Sequence, residues 1–199
     1  MNQPSVALPR RGRGPLWALA LLFFVPLLLA MTLYFGFDWR PAGHTNHGEL
    51  IQPVHVLPRI SLPRADGSAA PADLLRGKWT LLYIGAGSCD AACHETLYYS
   101  RQTRESLGRL LTRVQRVFLS TSACCDRAFL AKEHPDLITL DASGAAAAAL
   151  LAQFPADARD HTIFIIDPLG NLMMRYDAHA DPKGLRLDLQ KLLNLSQID

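Results

Sequence analysis

Two cysteines four residues apart, Cys89 and Cys93, are the pair in this chain best suited to chemistry. The apolar run before them predicts a strand and the sequence after them a helix, so the pair lies where a strand ends and a helix begins. Backbone N–H groups and the helix dipole favour a thiolate at such a position. If Cys93 lies in the first helical turn, both sulfurs share one face and can bind one soft metal ion or form a disulfide.

The choice of metal follows from the softness of the ligands. Thiolates combined with an imidazole suit copper, because Cu(I) prefers sulfur and Cu(II) accepts nitrogen. Zinc is the competing metal, but it would normally need a fourth ligand or an open water position. A structural disulfide is the remaining interpretation, although a bond across three intervening residues constrains little of the unfolded chain. We therefore interpret the pair as functional.

A second cysteine pair, Cys124 and Cys125, follows a later strand prediction and is expected on the same edge of the sheet as Cys89. A disulfide between adjacent residues is strained, so two free thiols or a bridge to a partner are expected. These thiols could resolve a disulfide at Cys89 or pass copper onward. The interpretation as small buried hydrophobic side chains is favoured.

Other candidate metal ligands lie between residues 44 and 55 and at residues 173 and 174. His44, His47 and His55 occupy a segment rich in Pro, Gly and His, where histidines are more often solvated than metal-binding. Met173 and Met174 could offer thioethers, but at alternating strand positions one of them belongs to the core. We assign neither group a function.

The elements that must position the cysteines form a regular series. A strand at 79–85, a helix from about 90 to 112, which Ser88 could cap, and a strand at 114–120 make a right-handed parallel βαβ unit. Further predicted elements are a strand at 137–140, an Ala-rich helix at 145–154, two hairpin strands at 162–166 and 172–176, and a helix at 182–195. This order predicts an α/β, thioredoxin-like fold.

An apolar segment precedes this domain. No charged residue lies between Pro15 and Phe37, a length that crosses a hydrocarbon core of about 30 Å. Pro26 is tolerated in such a helix with a kink. The first arginines lie just before the span, which places the N-terminus in the cytoplasm. A cleaved signal peptide is the alternative, but its apolar core would be about 7–15 residues and the bulky residues here make a poor cleavage site.

Length and charge set the remaining limits. The 199 residues suffice for one domain and an accessory segment, and the net charge of +2 leaves no basic face of the kind that binds nucleic acid. Four cysteines are too few to stabilise a domain of this size mainly through disulfide bonds. We expect a cytoplasmic tail at 1–14, a transmembrane anchor at 15–39, a juxtamembrane linker at 40–57 and a thioredoxin-like domain at 58–199.

The motifs together resemble the SCO/SenC family of cytochrome oxidase assembly proteins over roughly residues 50–195. The matching elements are the anchor, Cys89-Asp-Ala-Ala-Cys93, and Asp160-His161-Thr162 before an apolar strand and an Asp-Pro-Leu-Gly turn. The resemblance implies that Cys89, Cys93 and His161 bind one copper ion. It also implies delivery to the copper-binding subunit of cytochrome c oxidase, with a copper donor or a thiol-disulfide reductase as a further partner. The expected location is a bacterial inner membrane, with the domain in the periplasm.

The chain departs from the family beside the cysteines. Asp90 and His94 stand where the family places prolines, and the loop Thr121-Ser-Ala-Cys-Cys-Asp replaces an acidic Asp-Pro type sequence. Asp90 opposes thiolate formation at Cys89, whereas a protonated His94 favours it.

Two other functions stay open. The first is a thiol-disulfide oxidoreductase, in which Cys89 attacks a target disulfide and Cys93 resolves the mixed disulfide. The second is a membrane-bound interaction module that keeps the fold alone. His161 discriminates between the main candidates, because a reductase needs only the two sulfurs.

Overall fold

The computed structural model of the chain describes residues 12–36, 45–123, 127–158, 162–178 and 181–196. The chain divides into two compact units, Met1–His44 and Thr45–Asp199. The first unit contains one helix, and the second contains a sheet with its covering helices.

Helix α1 is Gly14–Gly36, and its 23 residues are long and apolar enough to cross a membrane. It contains Pro26, and none of its residues is buried against other parts of the chain. Such exposure of Leu and Phe side chains is unfavourable in water but favourable in lipid. The predicted membrane helix is therefore present as an element, with bounds inside the expected 15–39 span except for Gly14.

The second unit is built on one six-stranded sheet. Its strands are β1 Glu49–Val56, β2 Trp79–Gly85, β3 Val114–Ser120, β4 Leu137–Asp141, β5 Thr162–Ile166 and β6 Asn171–Asp177. They lie in the order β1-β6-β5-β2-β3-β4. Strands β2, β3 and β4 are parallel, and β5, β6 and β1 pair antiparallel in turn. The central β2 is buried at all seven positions, as its apolar run predicts for a strand covered on both faces.

Helices cover both faces of the sheet. They are α2 Ala91–Glu105, α3 Arg127–Glu133, α4 Ala148–Leu151 and α5 Pro182–Leu195. Alternate residues of β2 point to opposite faces, so Leu81 packs in the core beneath α5 and Leu82 in the core that contains the α4 residue Leu150. The mixed sheet between two helical layers confirms the predicted α/β, thioredoxin-like fold.

Several segments differ from the sequence prediction, among them the helix expected at about 90–112, which is α-helical only to Glu105 and continues as a 3₁₀ helix at Gly108–Arg113. Residues 49–56, expected to belong to the linker, form the edge strand β1, which pairs with β6 only near its two ends. Pro53 lies between the paired ends and cannot donate to the ladder, so the strand pattern is weak in the sequence. The Ala-rich segment at 145–154 is a 3₁₀ turn followed by a single α-helical turn, and α3 was not predicted.

The entry of the chain into the second unit is fixed by one buried carboxylate, Asp188 of α5. It accepts hydrogen bonds from the backbone N–H of His47, at 2.6 Å, and of Gly48, at 3.0 Å. The hydroxyl of Tyr176 also donates to it. Burial, followed by the hydrogen bond to Asp188, raises the pKa of Tyr176, so this hydroxyl remains a donor at neutral pH. Gly48 must be glycine here, because a Cβ atom would collide with the Tyr176 ring.

The strand directions show at which edge of the sheet, formed by the strand ends, this entry point lies. Strand β1 begins at the edge where β6 ends, because Glu49 pairs with Arg175. Strand β5 also begins there, because Thr162 pairs with Asp177, and β2 ends there, because Tyr83 pairs with Ile163. The chain therefore enters the second unit at the sheet edge from which the loop to the cysteines leaves.

Candidate functional site

The two cysteines form a disulfide with their Cα atoms 5.1 Å apart. Cys89 ends the loop that follows β2, and Cys93 lies in the first turn of α2. The backbone φ of Cys89 is +42°, in the left-handed region that residues other than glycine rarely adopt. Such a conformation costs on the order of 1–2 kcal/mol, and positions of this kind concentrate at functional sites.

The loop that carries Cys89 rests on the loop that follows β3. The N–H of Gly87 donates to the Ser122 hydroxyl at 2.8 Å, and the Ser120 hydroxyl donates to the Ser122 carbonyl at 2.7 Å. The N–H of Thr121 donates to the carbonyl of Gly85 at 2.9 Å. A Cβ atom at position 87 would collide with the backbone of Ala123. These contacts make the two loops one surface at the end of the parallel strands.

Apolar side chains of the core pack against the disulfide. Cys89 is 8% exposed and Cys93 2% exposed. They pack with Tyr83, Leu97, Phe118 and Leu130, and the rings of Tyr83 and Phe118 are stacked with centroids 5.4 Å apart. An apolar environment disfavours a charged sulfur, so the site favours the uncharged disulfide or a thiolate neutralised by a cation.

Asp90 and His94, the two departures from the family pattern, have separate surroundings. The carboxylate of Asp90 accepts the N–H of Cys93 at 3.0 Å, so Asp90 rather than Ser88 caps α2. The reason is that the helix begins at Ala91, which makes residue 90 the capping position. The ring of His94 stacks on Phe129 of α3, with centroids 4.1 Å apart. Its imidazole ring therefore packs against α3.

A buried guanidinium that the sequence analysis did not single out holds α2 against the sheet. Arg116 of β3 is fully buried and donates to the Leu97 carbonyl at 2.7 Å and to the Ser100 hydroxyl at 3.1 Å. It also pairs with Asp136 at 2.9 Å. Burial lowers the pKa of Arg116 to about 10, against the raising effect of Asp136, so the side chain stays charged at neutral pH. The signal in the sequence is a charged residue inside an apolar strand.

His134 completes this buried network. Its Nδ1 lies 3.3 Å from a terminal nitrogen of Arg116, and arginine can only donate, so the ring is neutral with its proton on Nε2. Burial, and then the positive charge of Arg116, lowers the pKa of His134 to about 4. The ring therefore stays neutral across the pH range in which an unfolded histidine becomes protonated.

A pH dependence of stability follows from His134. Its folded pKa lies below the unfolded value of about 6.5, so its contribution is complete above pH 6.5 and is lost as the pH falls toward about 4. We expect this residue to account for a loss of about 2–3 kcal/mol in the free energy of unfolding between pH 7 and pH 4.5. Denaturant unfolding of the wild type and of His134→Gln at both pH values measures it. An equal pH dependence in the two proteins would contradict the assignment.

The third predicted ligand, His161, lies outside the described residues, as do Cys124 and Cys125. The position of the following strand is known. β5 begins with Thr162 at the edge where β2 ends, beside the strand that leads to Cys89. The structure thus brings the two sulfurs together, and the approach of His161 to them stays a prediction.

The described members of the other candidate groups have ordinary surroundings. His47 lies with its Nδ1 3.2 Å from Asp181, and His55 lies in β1, while His44 is outside the described residues. Met174 is buried in the core and Met173 packs against it, as the alternation predicts. Within the part of the chain that the structure describes, no three His, Cys, Asp or Glu side chains are grouped so that they could hold a metal ion.

Several solved structures share this fold at low sequence identity. The copper-bound ScoI of Bradyrhizobium japonicum is 20% identical, with a TM-score of 0.54 over 69% of this chain and 99% of that chain. The apo Sco1 of Thermus thermophilus is 21% identical, with a TM-score of 0.58 over 76% and 99%. Yeast Sco1 with copper bound is 16% identical, with a TM-score of 0.60 over 77% and 96%. The resemblance to SCO/SenC proteins is therefore confirmed for the fold.

Sequence comparison gives the family. Curated proteins gave no match. A family model described as a transmembrane-like, thioredoxin-like C-terminal domain matches residues 79–196, which is more than half of the chain. The match begins at β2 and ends after α5, so it contains the cysteine pair and the strands that frame it. The chain belongs to the family of transmembrane-like, thioredoxin-like C-terminal domains.

Proposed function

We propose that this protein binds copper through the reduced sulfurs of Cys89 and Cys93 and the imidazole of His161. In this proposal it delivers the ion to the copper centre of cytochrome c oxidase. The observation that carries the proposal is the meeting of both sulfurs at the sheet edge where β5, the strand after His161, begins. Two thiolates and one imidazole form a donor set that suits copper.

The redox state of the pair decides whether copper can bind. In the disulfide both sulfurs are bonded to each other, so neither is a thiolate. A dithiol reductant gives two electrons and two protons to the disulfide and is itself oxidised to a disulfide. The two thiols formed at Cys89 and Cys93 then lose their protons when the metal binds. A copper cation would neutralise the thiolates in surroundings that are otherwise apolar. Copper is the cargo of this cycle, and reduction of the disulfide is its first step.

Two further features support the proposal. Proteins of the same fold have been solved with copper bound, among them ScoI of Bradyrhizobium japonicum and yeast Sco1. Helix α1 has the length and composition of a membrane anchor. We infer an inner-membrane location with the second unit in the periplasm, since arginines precede the helix and the oxidising compartment permits disulfides.

The disulfide itself favours a second candidate, a thiol-disulfide oxidoreductase. Cys89 is the more exposed of the two residues. After reduction its sulfur would attack the target disulfide, and Cys93 would then displace the target. The products are a reduced target and the disulfide that the structure shows. Cysteines of the oxidase or of another exported protein are the targets in this case.

Copper titration of the full-length chain in detergent tests the first candidate. We expect one Cu(I) per chain after reduction and none in the disulfide form. Cys89→Ser, Cys93→Ser and His161→Ala should each weaken binding on the order of 100-fold, which corresponds to about 3 kcal/mol. His55→Ala, a histidine of β1, is the matched control and should bind normally.

The same series separates the candidates. Unchanged affinity in His161→Ala would remove the imidazole from the ligand set. A chain that reduces disulfide substrates and binds no copper would establish the oxidoreductase in place of the copper protein.

A further inference from the structure

The outer face of helix α5 combines positive charge with exposed apolar side chains. Lys183, Arg186 and Lys191 are exposed to solvent. So are Leu187 and Leu195, which are 45% and 72% exposed. Spacings of three and four residues place these side chains on the side of the helix that faces away from the sheet. These five residues define the outer face of α5.

The described residues of α5 expose no acidic side chain. Asp188 is the one carboxylate of this helix, and it is buried where it accepts the N–H groups of His47 and Gly48. The charge of the outer face is therefore positive from the first turn of the helix to the last.

The carboxylates near the start of α5 are compensated within the domain. Asp181 accepts the N–H of Gly184 at 2.9 Å, at the positive end of the helix dipole, and lies 3.2 Å from Nδ1 of His47. Glu49 of β1 accepts two hydrogen bonds from the guanidinium of Arg175, at 2.7 and 2.9 Å. These contacts leave the positive charge of the outer face in place.

The chain that comes from α1 enters the domain along α5. The Nζ of Lys191 donates to the Thr45 hydroxyl at 2.9 Å, and Asp188 holds the next amides. Eight residues, 37–44, lie between Gly36, where α1 ends, and Thr45. A chain of this length spans at most about 30 Å. With α1 in a bilayer, Thr45 is therefore confined to a thin layer next to the lipid surface, where docking carries a high effective concentration.

A cationic face that also carries leucines fits the surface of a bilayer with anionic lipid. Lysine and arginine are attracted to a negatively charged membrane surface, and each such residue adds to the attraction. The leucine side chains leave water for the boundary between headgroups and acyl chains. A second copy of the same face would bring like charges together, so pairing of two chains through α5 is disfavoured.

We propose that the outer face of α5 docks on anionic lipid at the surface of the membrane that holds α1. The proposal rests on the part of the proposed function that places α1 in the membrane, and it does not depend on copper. Helix α2, which carries Cys93, packs beside α5. Docking therefore holds the cysteine pair close to the bilayer and directs it to partners that are themselves in or at the membrane.

Lysine acetylation tests the proposal, because two of the four lysines of the chain lie on the outer face. The full-length chain is placed in nanodiscs of phosphatidylcholine, with or without phosphatidylglycerol, and treated briefly with acetic anhydride, a neutral reagent. Mass spectrometry measures the acetylation rate of each lysine. We expect Lys183 and Lys191 to react about fivefold more slowly when phosphatidylglycerol is present, as for docking during about four fifths of the time. Lys78, before β2, and Lys132, on α3, should react equally in both lipids.

Two variants and a change of salt separate the outer face from a general effect of charge. Arg186→Gln combined with Leu187→Gln alters the face but keeps both reporter lysines, and it should reduce their protection to about twofold or less. Arg127→Gln removes an exposed positive charge from α3 and should leave the protection unchanged. High salt should reduce the protection in the unaltered chain, because it screens the attraction to the lipid.

Each other outcome overturns the proposal. Equal reactivity of Lys183 and Lys191 in the two lipids would exclude docking on anionic lipid. Protection that is the same in both lipids and grows with the number of chains per nanodisc would assign the face to a second copy. A chain that does not stay with the nanodiscs would reject the anchor of the proposed function, and the docking with it.

Copper titration of the same samples keeps this result apart from the rest of the proposed function. Normal copper binding with unprotected lysines would reject the docking alone. Protected lysines in a chain that binds no copper would sustain the docking and reject copper binding.

Discussion

Replacing Arg116 by methionine is expected to lower the free energy of unfolding by about 3–5 kcal/mol, the usual cost of removing one partner from a buried ionic network. The guanidinium is fully buried and contacts α2, His134 and Asp136. Methionine fills much of the volume but donates no hydrogen bond. Denaturant unfolding of the detergent-solubilised chain measures the change. Arg116 bonds to the helix that carries Cys93. With the disulfide reduced, Arg116→Met should therefore also show faster hydrogen exchange in α2 than the reduced wild type.

Controls separate the network from a general intolerance of substitution. Arg109→Met changes an exposed arginine in the 3₁₀ turn after α2, and it should alter the unfolding free energy by about 0.5 kcal/mol or less. Arg116→Met combined with Asp136→Asn should cost less than the sum of the single changes, because each single change leaves the other partner uncompensated. Additive costs would show that the two groups act independently.

Asp188→Ala is expected to lower the free energy of unfolding by about 2–4 kcal/mol, since it leaves two backbone N–H groups and one hydroxyl without their acceptor. Besides this loss of overall stability, the substitution should loosen the segment before β1 locally. The amides of His47 and Gly48 should exchange with solvent far faster, because the segment before β1 is no longer fastened to α5. Hydrogen exchange monitored by mass spectrometry measures both effects.

Tyr176→Phe is the matched control for this carboxylate. It removes one donor to Asp188 and keeps the ring that packs on Gly48, so it should cost about 1–2 kcal/mol and leave the two amides protected. Retained protection at His47 in Asp188→Ala would contradict the assignment of Asp188 as the fastening group.

The fold could largely be predicted from the sequence because its central elements carry strong local signals. The continuous apolar run at 79–85 is a buried strand, and the apolar face of 182–195 is a helix on the sheet. The edge strand β1 was missed because Pro53 breaks its pattern and because β1 becomes a strand only by pairing with β6, which is more than 100 residues away in the chain. Propensity alone does not encode such long-range pairing. The short α3 has too few turns to show a period.

The residue types of the candidate site could be predicted from the sequence better than the contacts that hold them in place. The spacing of Cys89 and Cys93 was enough to predict that their sulfurs meet. The capping role of Asp90 depends on where α2 begins, and helix boundaries are the least certain part of a sequence prediction. The partners of Arg116 come from α2 and from the segment after α3. No local sequence pattern around Arg116 therefore indicates them. The outcome for His161 stays open, since that residue lies outside the described part of the chain.

The close fit between Gly87 and Ala123 limits how this site can evolve. Any other amino acid at position 87 would push a methyl group or more into the neighbouring backbone, so any substitution of this glycine would displace the loop after β3. Ser88, next to it, is exposed and has room for exchange. The sequence around the disulfide can therefore change at exposed positions such as Ser88, while Gly87 must be inherited unaltered.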